Sequence, residues 1–334
     1  MYHAYAAGQA GQPLEPTTYE PPPLGPFDVE VRITHCGICH SDVHILDGDW
    51  GSHFPAIAGH EIVGMVTQKG DLVRGLDVGQ RVGVGWQCGS CMDCEWCVRG
   101  DTNLCPDSVA TCRGRPGGFA DHIRVDGRFA YAIPDVLDSV NAAPLLCGGI
   151  TVYAPMRRLG MTAATRVGVI GIGGLGHLAL QFASRFGCEV TAFSSSPDKA
   201  AEARGFGATA FVNSRDDAAL KSVRGSLDLI ICTVNVNLNW GRYLQALRPE
   251  GTLVLLGAIP EAMDIRSGML VSGQKTITGG VIGNRAAMRE MLDFAARTGI
   301  AAQTETLPMA SVNAGLDRVR SNQARYRVVL VNEA

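Results

Sequence analysis

The stretch "RVGVIGIGGLGHLALQFASRFG", from Arg166 to Gly187, narrows the choice of fold more than any other part of this chain. An apolar strand runs into a glycine-rich turn, the turn opens a helix, and Gly187 closes it. Within "GIGGLG", Gly171, Gly173 and Gly176 have the G-x-G-x-x-G spacing, with Gly174 as a further glycine and Leu175 between. Set between a strand and a helix, such glycines permit a tight turn, close approach of a pyrophosphate to the backbone and close helix packing, while the helix N-terminus offers N–H groups to the phosphates. A cofactor with two phosphates fits there. The alternation continues through "EVTAF", "PDKAAEARGFG" with Pro197 at its start, "LDLIIC", "NWGRYLQAL", "GTLVLLG" and "TITGGVIG". Strands alternating with helices of this length imply right-handed βαβ units, hence an α/β domain with a doubly wound parallel sheet over residues 149–283.

The residues ahead of it read differently. "FDVEVRIT", "EIVGMVTQKG" and "QRVGVG" are short β-branched runs broken by glycine and turn residues, without helical periodicity, so residues 1–148 form a β-rich domain. Residues 284–334 carry a long helix "RAAMREMLDFAARTG", a second around "VNAGLDRVRS" and a last strand "ARYRVVLVN". The proline-rich segment from Pro13 to Pro26 reads as a surface connection. At 334 residues and 46% apolar composition the chain can build a full core. A net charge of -3 with dispersed Lys and Arg argues against a nucleic-acid surface. The N-terminus lacks the features of a signal peptide, and no apolar run approaches the roughly 18 residues of a membrane span, so the expectation is a soluble, cytoplasmic protein with no membrane partner.

Eleven cysteines in a chain without an export signal are better explained by reduced thiols and metal than by disulfides. Cys91, Cys94, Cys97 and Cys105 lie close together in "CMDCEWCVRGDTNLC", in polar, loop-forming company unlike that of buried core thiols. A loop of this kind can wrap one zinc in four thiolates and leave no position for water, which is a closed structural site within a lobe spanning residues 88–106. Cys88 stands three residues before Cys91 and is a possible substitute in the set.

A second group is spread along the chain: Cys36, Cys39, His40, Asp42 and His44 in "HCGICHSDVH", His60 and Glu61 in "AGHE", and Cys147 in "PLLCGGIT". Each alone is weak, since a lone His or Cys is more often a core residue. Together, thiolates from Cys39 and Cys147 with the imidazole of His60 make a three-ligand zinc site with a fourth position open to water or substrate oxygen. Asp42 and Glu61, beside two of the ligands in sequence, would orient the imidazole and tune the metal.

In this order, "CGICHSD", "AGHE", the four-cysteine lobe, "PLLCGGIT", "VIGIGGLGH" and the final "ARYRVVL" resemble the zinc-dependent medium-chain alcohol dehydrogenases, most closely the cinnamyl alcohol dehydrogenase branch and its bacterial broad-specificity aldehyde reductases. The resemblance spans nearly the whole chain. It implies a GroES-like catalytic domain, a Rossmann cofactor domain and a return of residues 284–334 to the catalytic domain. It assigns the catalytic zinc to Cys39, His60 and Cys147, leaves Cys88 outside the structural set, and makes Glu61 a carboxylate able to approach the metal. It implies further that Ser41 touches the substrate oxygen, that His44 passes the proton to solvent by way of the cofactor ribose, and that His40 contacts the cofactor pyrophosphate. Trp86 departs from the small residue or Cys of many relatives, and with Trp50 it would shape the substrate pocket.

The expected reaction is hydride transfer between a nicotinamide and an aldehyde or primary alcohol, with two zinc ions per chain. Its rivals are a polyol dehydrogenase working oxidatively and a nucleotide-binding protein of the same fold without turnover; the complete ligand set and Ser41 count against the latter. NADP(H) is expected over NAD(H), because about 20 residues beyond the glycine motif the chain offers no carboxylate for a ribose 2′-OH. It offers Ser194, Ser195, Ser196 and Lys199, with Arg204 further on, whereas Glu189 lies at the wrong end of its strand and Asp198 in the first helical turn. The apolar "GTLVLLG" and "TITGGVIG" would leave an exposed sheet edge, which a homodimer would bury.

Overall fold

Arg166–Ile170, the strand that feeds the glycine turn, lies inside a six-stranded sheet. The spatial order is Ala210–Asn213, Glu189–Ser194, Arg166–Ile170, Leu227–Cys232, Leu247–Leu255 and Thr276–Gly279, and every pairing is parallel. Val167, Val169, Ile230 and Ile231 have no exposed surface, as strands covered on both faces require. The order reverses beside Arg166–Ile170, with its sequence successor on one side and Leu227–Cys232 on the other, so the glycine turn stands at the switch point where such sheets take ligands. The edges differ from expectation in one respect. Leu247–Leu255 is interior, covered by Thr276–Gly279, and only the latter is exposed on that side. The helix expected from Pro197 begins as a 3-10 turn, Pro197–Lys199, before α-helix Ala200–Gly205.

The structure, a computed structural model, describes residues 1–332. It divides into two units, one of residues Thr151–Ile282 and the other of Met1–Ile150 with the segment from Gly283 on. In the latter, a seven-stranded sheet runs Thr304–Pro308, Arg327–Val331, Asp28–Ile38, Glu61–Lys69, Arg81–Val84, Ala130–Ala132, with His122–Asp126 paired to the first half of Asp28–Ile38. Asp28–Ile38 continues past the "FDVEVRIT" run because Arg327–Val331 pairs its second half, Val328 opposite Ile38 and Val331 opposite His35. Val29, Val31, Ile62, Val82, Val84, Val328 and Leu330 have no exposed surface and pack in one core; each such side chain contributes about 1.5–3 kcal/mol. Helix Arg285–Thr298 starts where Asn284 accepts from the Ala287 N–H at 2.8 Å and ends at Gly299, φ +68, in the left-handed conformation.

The proline-rich segment is not merely a connection. Leu14–Tyr19 pairs antiparallel with Tyr2–Ala7 in a two-stranded ribbon, Pro16 opposite Tyr5, and the Asn313 side chain clasps both the N–H and the carbonyl of Leu14 at 2.9 Å. Proline is tolerated because a two-stranded ribbon consists of edges. Among the described residues no helix is long and apolar enough to cross a membrane.

Candidate active site

Where the strand Asp28–Ile38 ends, Cys39 caps the helix His40–Leu46. Asp42 holds this corner with both carboxylate oxygens: Oδ2 accepts from the Cys39 N–H at 2.9 Å, and Oδ1 accepts from the Gly59 N–H and faces His60 Nδ1, each at 2.8 Å. Gly59 has φ +97 and a Cβ there would come within 2.7 Å of Phe119 N, so this approach needs glycine. With Nδ1 bound to Asp42, His60 leaves Nε2 buried and without a hydrogen-bond partner. It faces thiols. Cys39 Sγ and Cys147 Sγ are 4.0 Å apart, and ligand atoms of Cys39, His60, Glu61 and Cys147, all buried, lie within 4.8 Å of one another.

Two sulfurs bound tetrahedrally to one zinc would be about 3.8 Å apart, so the spacing and the orphaned imidazole nitrogen both fit a zinc ion. The electrostatics fit too. A hydrogen bond from Cys147, then His60 and Arg327, push Cys39 well below the ordinary thiol range. Burial drives Glu61 up to about 7, against the opposing pull of Arg327. Glu61 accepts a charge-assisted hydrogen bond from the Arg327 guanidinium, which also donates to the Ile38 carbonyl at 3.2 Å. Gly37 makes room for this pair, since a Cβ there would lie 2.1 Å from Glu61 Oε2.

Around the cluster runs a row of rings. Trp86 stands edge-on to His60, centroids 4.9 Å apart, Trp50 edge-on to Trp86 at 5.9 Å, His44 stacked on Trp50 at 5.0 Å, and His40 edge-on to His44 at 5.1 Å. Ser41 is half-buried on the same helix, and Asp49 Oδ2 lies 2.7 Å from His44 Nδ1. Three neighbours of the site escaped sequence reasoning. Arg327 left a signal, an arginine within an apolar strand, which cannot be buried without a partner. Asp49 and Cys112, whose Sγ is 3.7 Å from His60 Nδ1, left none.

The four loop cysteines also converge, with ligand atoms within 4.8 Å, Cys91 Sγ being 3.9 Å from Cys97 Sγ and 3.5 Å from Cys105 Sγ. The loop closes through Met92 and Gly100 at φ +63 and +92, and the Cys94 N–H donates to Cys91 Sγ at 3.3 Å. The Asp93 and Cys94 N–H groups bring the exposed Cys91 thiol down to about 7. Cys88 is outside the cluster, buried, its sulfur accepting from Arg115 Nη1 at 2.9 Å. The two clusters suit a closed structural zinc and an open catalytic one.

In the other unit, Gly171 turns the chain at φ +91, and a Cβ at Gly176 would lie 1.9 Å from the Gly171 carbonyl oxygen, the close packing this glycine spacing exists to allow. A Cβ at Gly173 would meet nothing within 4 Å. Helix Gly176–Arg185 follows directly after Gly174 and Leu175. Lys199 reaches the turn, donating from Nζ to the Ile172 carbonyl at 2.6 Å. Ser194 is buried with its Oγ accepting from the Ser196 N–H at 3.1 Å, Ser196 is half-buried, and Ser195 is exposed.

Comparison with known proteins agrees with this picture. Residues 25–135 match the alcohol dehydrogenase GroES-like domain and residues 174–297 the zinc-binding dehydrogenase family. Aldehyde reductase AdhA of Synechocystis is 41% identical over 331 residues, 99% of this chain and 98% of that protein. A cinnamyl alcohol dehydrogenase of Sorghum bicolor superposes with a TM-score of 0.95 at 38% identity, over 99% of this chain and 97% of its own. A cinnamyl alcohol dehydrogenase of Helicobacter pylori, solved as a complex with NADP(H), gives 0.92 at 29% identity, again over 99% and 97%. On sequence, fold and the convergence of both metal clusters, this chain belongs to the zinc-type medium-chain dehydrogenases, related to plant cinnamyl alcohol dehydrogenases and bacterial aldehyde reductases.

Proposed function

We propose that this chain reduces aldehydes to primary alcohols with NADPH. The observation that carries the reading is His60, oriented by Asp42 so that a buried, unpartnered Nε2 faces two thiols. Cys39, His60 and Cys147 would hold the catalytic zinc, and Cys91, Cys94, Cys97 and Cys105 the structural one. When bound, zinc supplies Lewis acidity at the carbonyl oxygen and the reduced nicotinamide supplies the hydride.

The rest falls to side chains. Asp42 fixes the imidazole ring and keeps its proton on Nδ1. Arg327 holds the Glu61 carboxylate beside the ligands. Ser41 and His44, three apart on one helix, share a face; Ser41 donates the proton to the product oxygen, and His44, with Asp49 at its Nδ1, brings it from solvent. Trp50 and Trp86 keep water from one side of the ligands. His40, Gly171, Gly173, Gly174, Leu175 and Gly176 take the pyrophosphate, and Ser194, Ser195, Ser196 and Lys199 read the 2′-phosphate. Catalysis is assigned to residues 1–148 with 284–334, and cofactor binding to residues 149–283. A homodimer would pair the exposed Thr276–Gly279 edges, and eleven cysteines free of disulfides suit the cytoplasm.

The test is a spectrophotometric screen of aliphatic and aromatic aldehydes with both reduced nicotinamides. Turnover with NADPH in preference to NADH is expected, and Ser195→Asp should shift that preference toward NADH by about tenfold. No oxidation of either nicotinamide with any aldehyde would overturn the reading. Light scattering that finds a monomer would remove the dimer alone.

A further inference from the structure

Cys112 and Arg113, adjacent in sequence, make contacts on two sides of the site. Cys112 packs against the His60–Asp42 pair, and its neighbour Arg113 reaches away from it, donating from Nη2 to the backbone oxygen of Trp50 at 2.7 Å. Up to Gly51 the loop that carries Trp50 is also tied to the preceding helix, by Asp49 N–H to the His44 carbonyl, Gly51 N–H to the Gly48 carbonyl and the stack of His44 on Trp50; past Gly51 it is poorly held. Gly48 and Gly51 flank Trp50 at φ +81 and +69, and a cavity of about 280 Å³ lies beside the loop, lined by Ser52, His53, Pro55, Cys112, Arg113 and Arg115 among others. Ser52 Oγ is buried without a hydrogen-bond partner, and among the described residues the segment 52–55 makes no backbone–backbone hydrogen bond. Packing does not fill the space into which this loop would relax.

What Trp50 does in its present place is fixed by the rings. Its indole stands at 86° to that of Trp86, which stands at 89° to the imidazole of His60. Both indoles are half-buried; Trp86 borders the ligand residue His60 directly, and Trp50 backs Trp86. We infer that Arg113 is a specificity-determining positioning residue: its hydrogen bond to the Trp50 carbonyl keeps the two indoles locked as a wall beside His60, and that wall selects flat, extended aldehydes over short ones.

The inference rests on the aldehyde-reducing reading and names a residue that touches neither substrate nor cofactor. A guanidinium is suited to the task because its rigid fork loses little freedom on binding a carbonyl. Without it, the loop can settle into the cavity and Trp50 leaves Trp86. A flat substrate then loses apolar and edge-to-face contact area, whereas a short aldehyde that never reaches the wall loses little.

The experiment compares the wild type with Arg113→Ala and Arg113→Lys, using cinnamaldehyde and acetaldehyde. Arg113→Ala should raise KM for cinnamaldehyde by about fivefold with kcat nearly kept, the loss of one exposed hydrogen bond, and should change acetaldehyde kinetics by less than about twofold. Arg113→Lys, which can still donate to the Trp50 carbonyl, should recover most of the loss. The coupled tryptophan signal in near-ultraviolet circular dichroism, assigned with Trp50→Phe, should weaken in Arg113→Ala and return in Arg113→Lys. Equal effects on both aldehydes, or none on either, would overturn the inference. If the wild type reduces no aldehyde, the proposed function fails and the dichroism alone decides: an unchanged tryptophan signal in Arg113→Ala then rejects the positioning role, and a weakened one restored by lysine upholds it.

Discussion

In the lobe, four thiols come from one short loop whose left-handed residues and backbone N–H groups gather them. In the buried cluster, Cys39 and Cys147 meet from 108 residues apart, and His60 arrives on a third segment. The lobe exposes an edge at Cys91 and leans on backbone donors. Two members of the buried cluster lean on charged side chains: Asp42 stands behind His60, and Arg327 behind Glu61. A loop that makes its site from local geometry can be damaged without harm to chemistry elsewhere. A site assembled from distant segments depends on groups that never touch the metal.

The sharpest way to break this comparison is Cys147→Ser. It should lower kcat/KM by about a thousandfold or more, leave far-ultraviolet circular dichroism unchanged, and leave one of two zinc ions by elemental analysis. Retained activity would mean that the open site is elsewhere. Asp42→Asn keeps the shape and removes the charge behind His60; zinc affinity of the buried site should fall by about 10- to 100-fold in chelator competition while the lobe ion stays. A chromogenic disulfide reagent should consume the lobe thiols at least about tenfold faster than Cys39 and Cys147, read by mass spectrometry of the modified peptides, because the lobe has an exposed edge and the other site none. The smallest effect on turnover belongs to Cys97→Ser. It should release the lobe ion and lower Tm by about 5 °C, yet leave kcat per folded molecule within about twofold. A large loss of kcat there would erase the distinction between the two sites.

The same contrast explains what could be read before the fold was seen. The lobe was legible because its spacing is local, and the cofactor turn because its strand and helix are its neighbours in sequence. Asp42 was legible through its place beside a ligand in sequence; its use as a cap on the Cys39 N–H came only with the helix. Asp49, Cys112 and Arg113 were not, because each acts through a contact that only folding creates; Arg327 showed only as an arginine in an apolar strand, with its partner Glu61 revealed by the fold. The ribbon at Leu14–Tyr19 was hidden by Pro16 and the prolines around it in sequence, a residue type that is excluded from an interior strand but not from an edge. Burial of Leu247–Leu255 beneath Thr276–Gly279 depends on strand order, which periodicity does not encode.

Arg327–Val331 lies between Thr304–Pro308 and Asp28–Ile38, and it carries the guanidinium that neutralises Glu61. On the ribosome this strand emerges after every residue of the unit Thr151–Ile282 and after every other strand of its own sheet. The nucleotide-binding half can therefore fold while the chain is still being made, as domains generally do. The metal-binding half must wait, with the second half of Asp28–Ile38 unpaired on one side and Glu61 without its counter-charge, until Arg327–Val331 has emerged. Birth order thus runs opposite to sequence order: the half whose synthesis begins first is the half completed last. A nascent chain stalled before Arg327 would carry a finished cofactor unit beside a sheet that still lacks an inner strand.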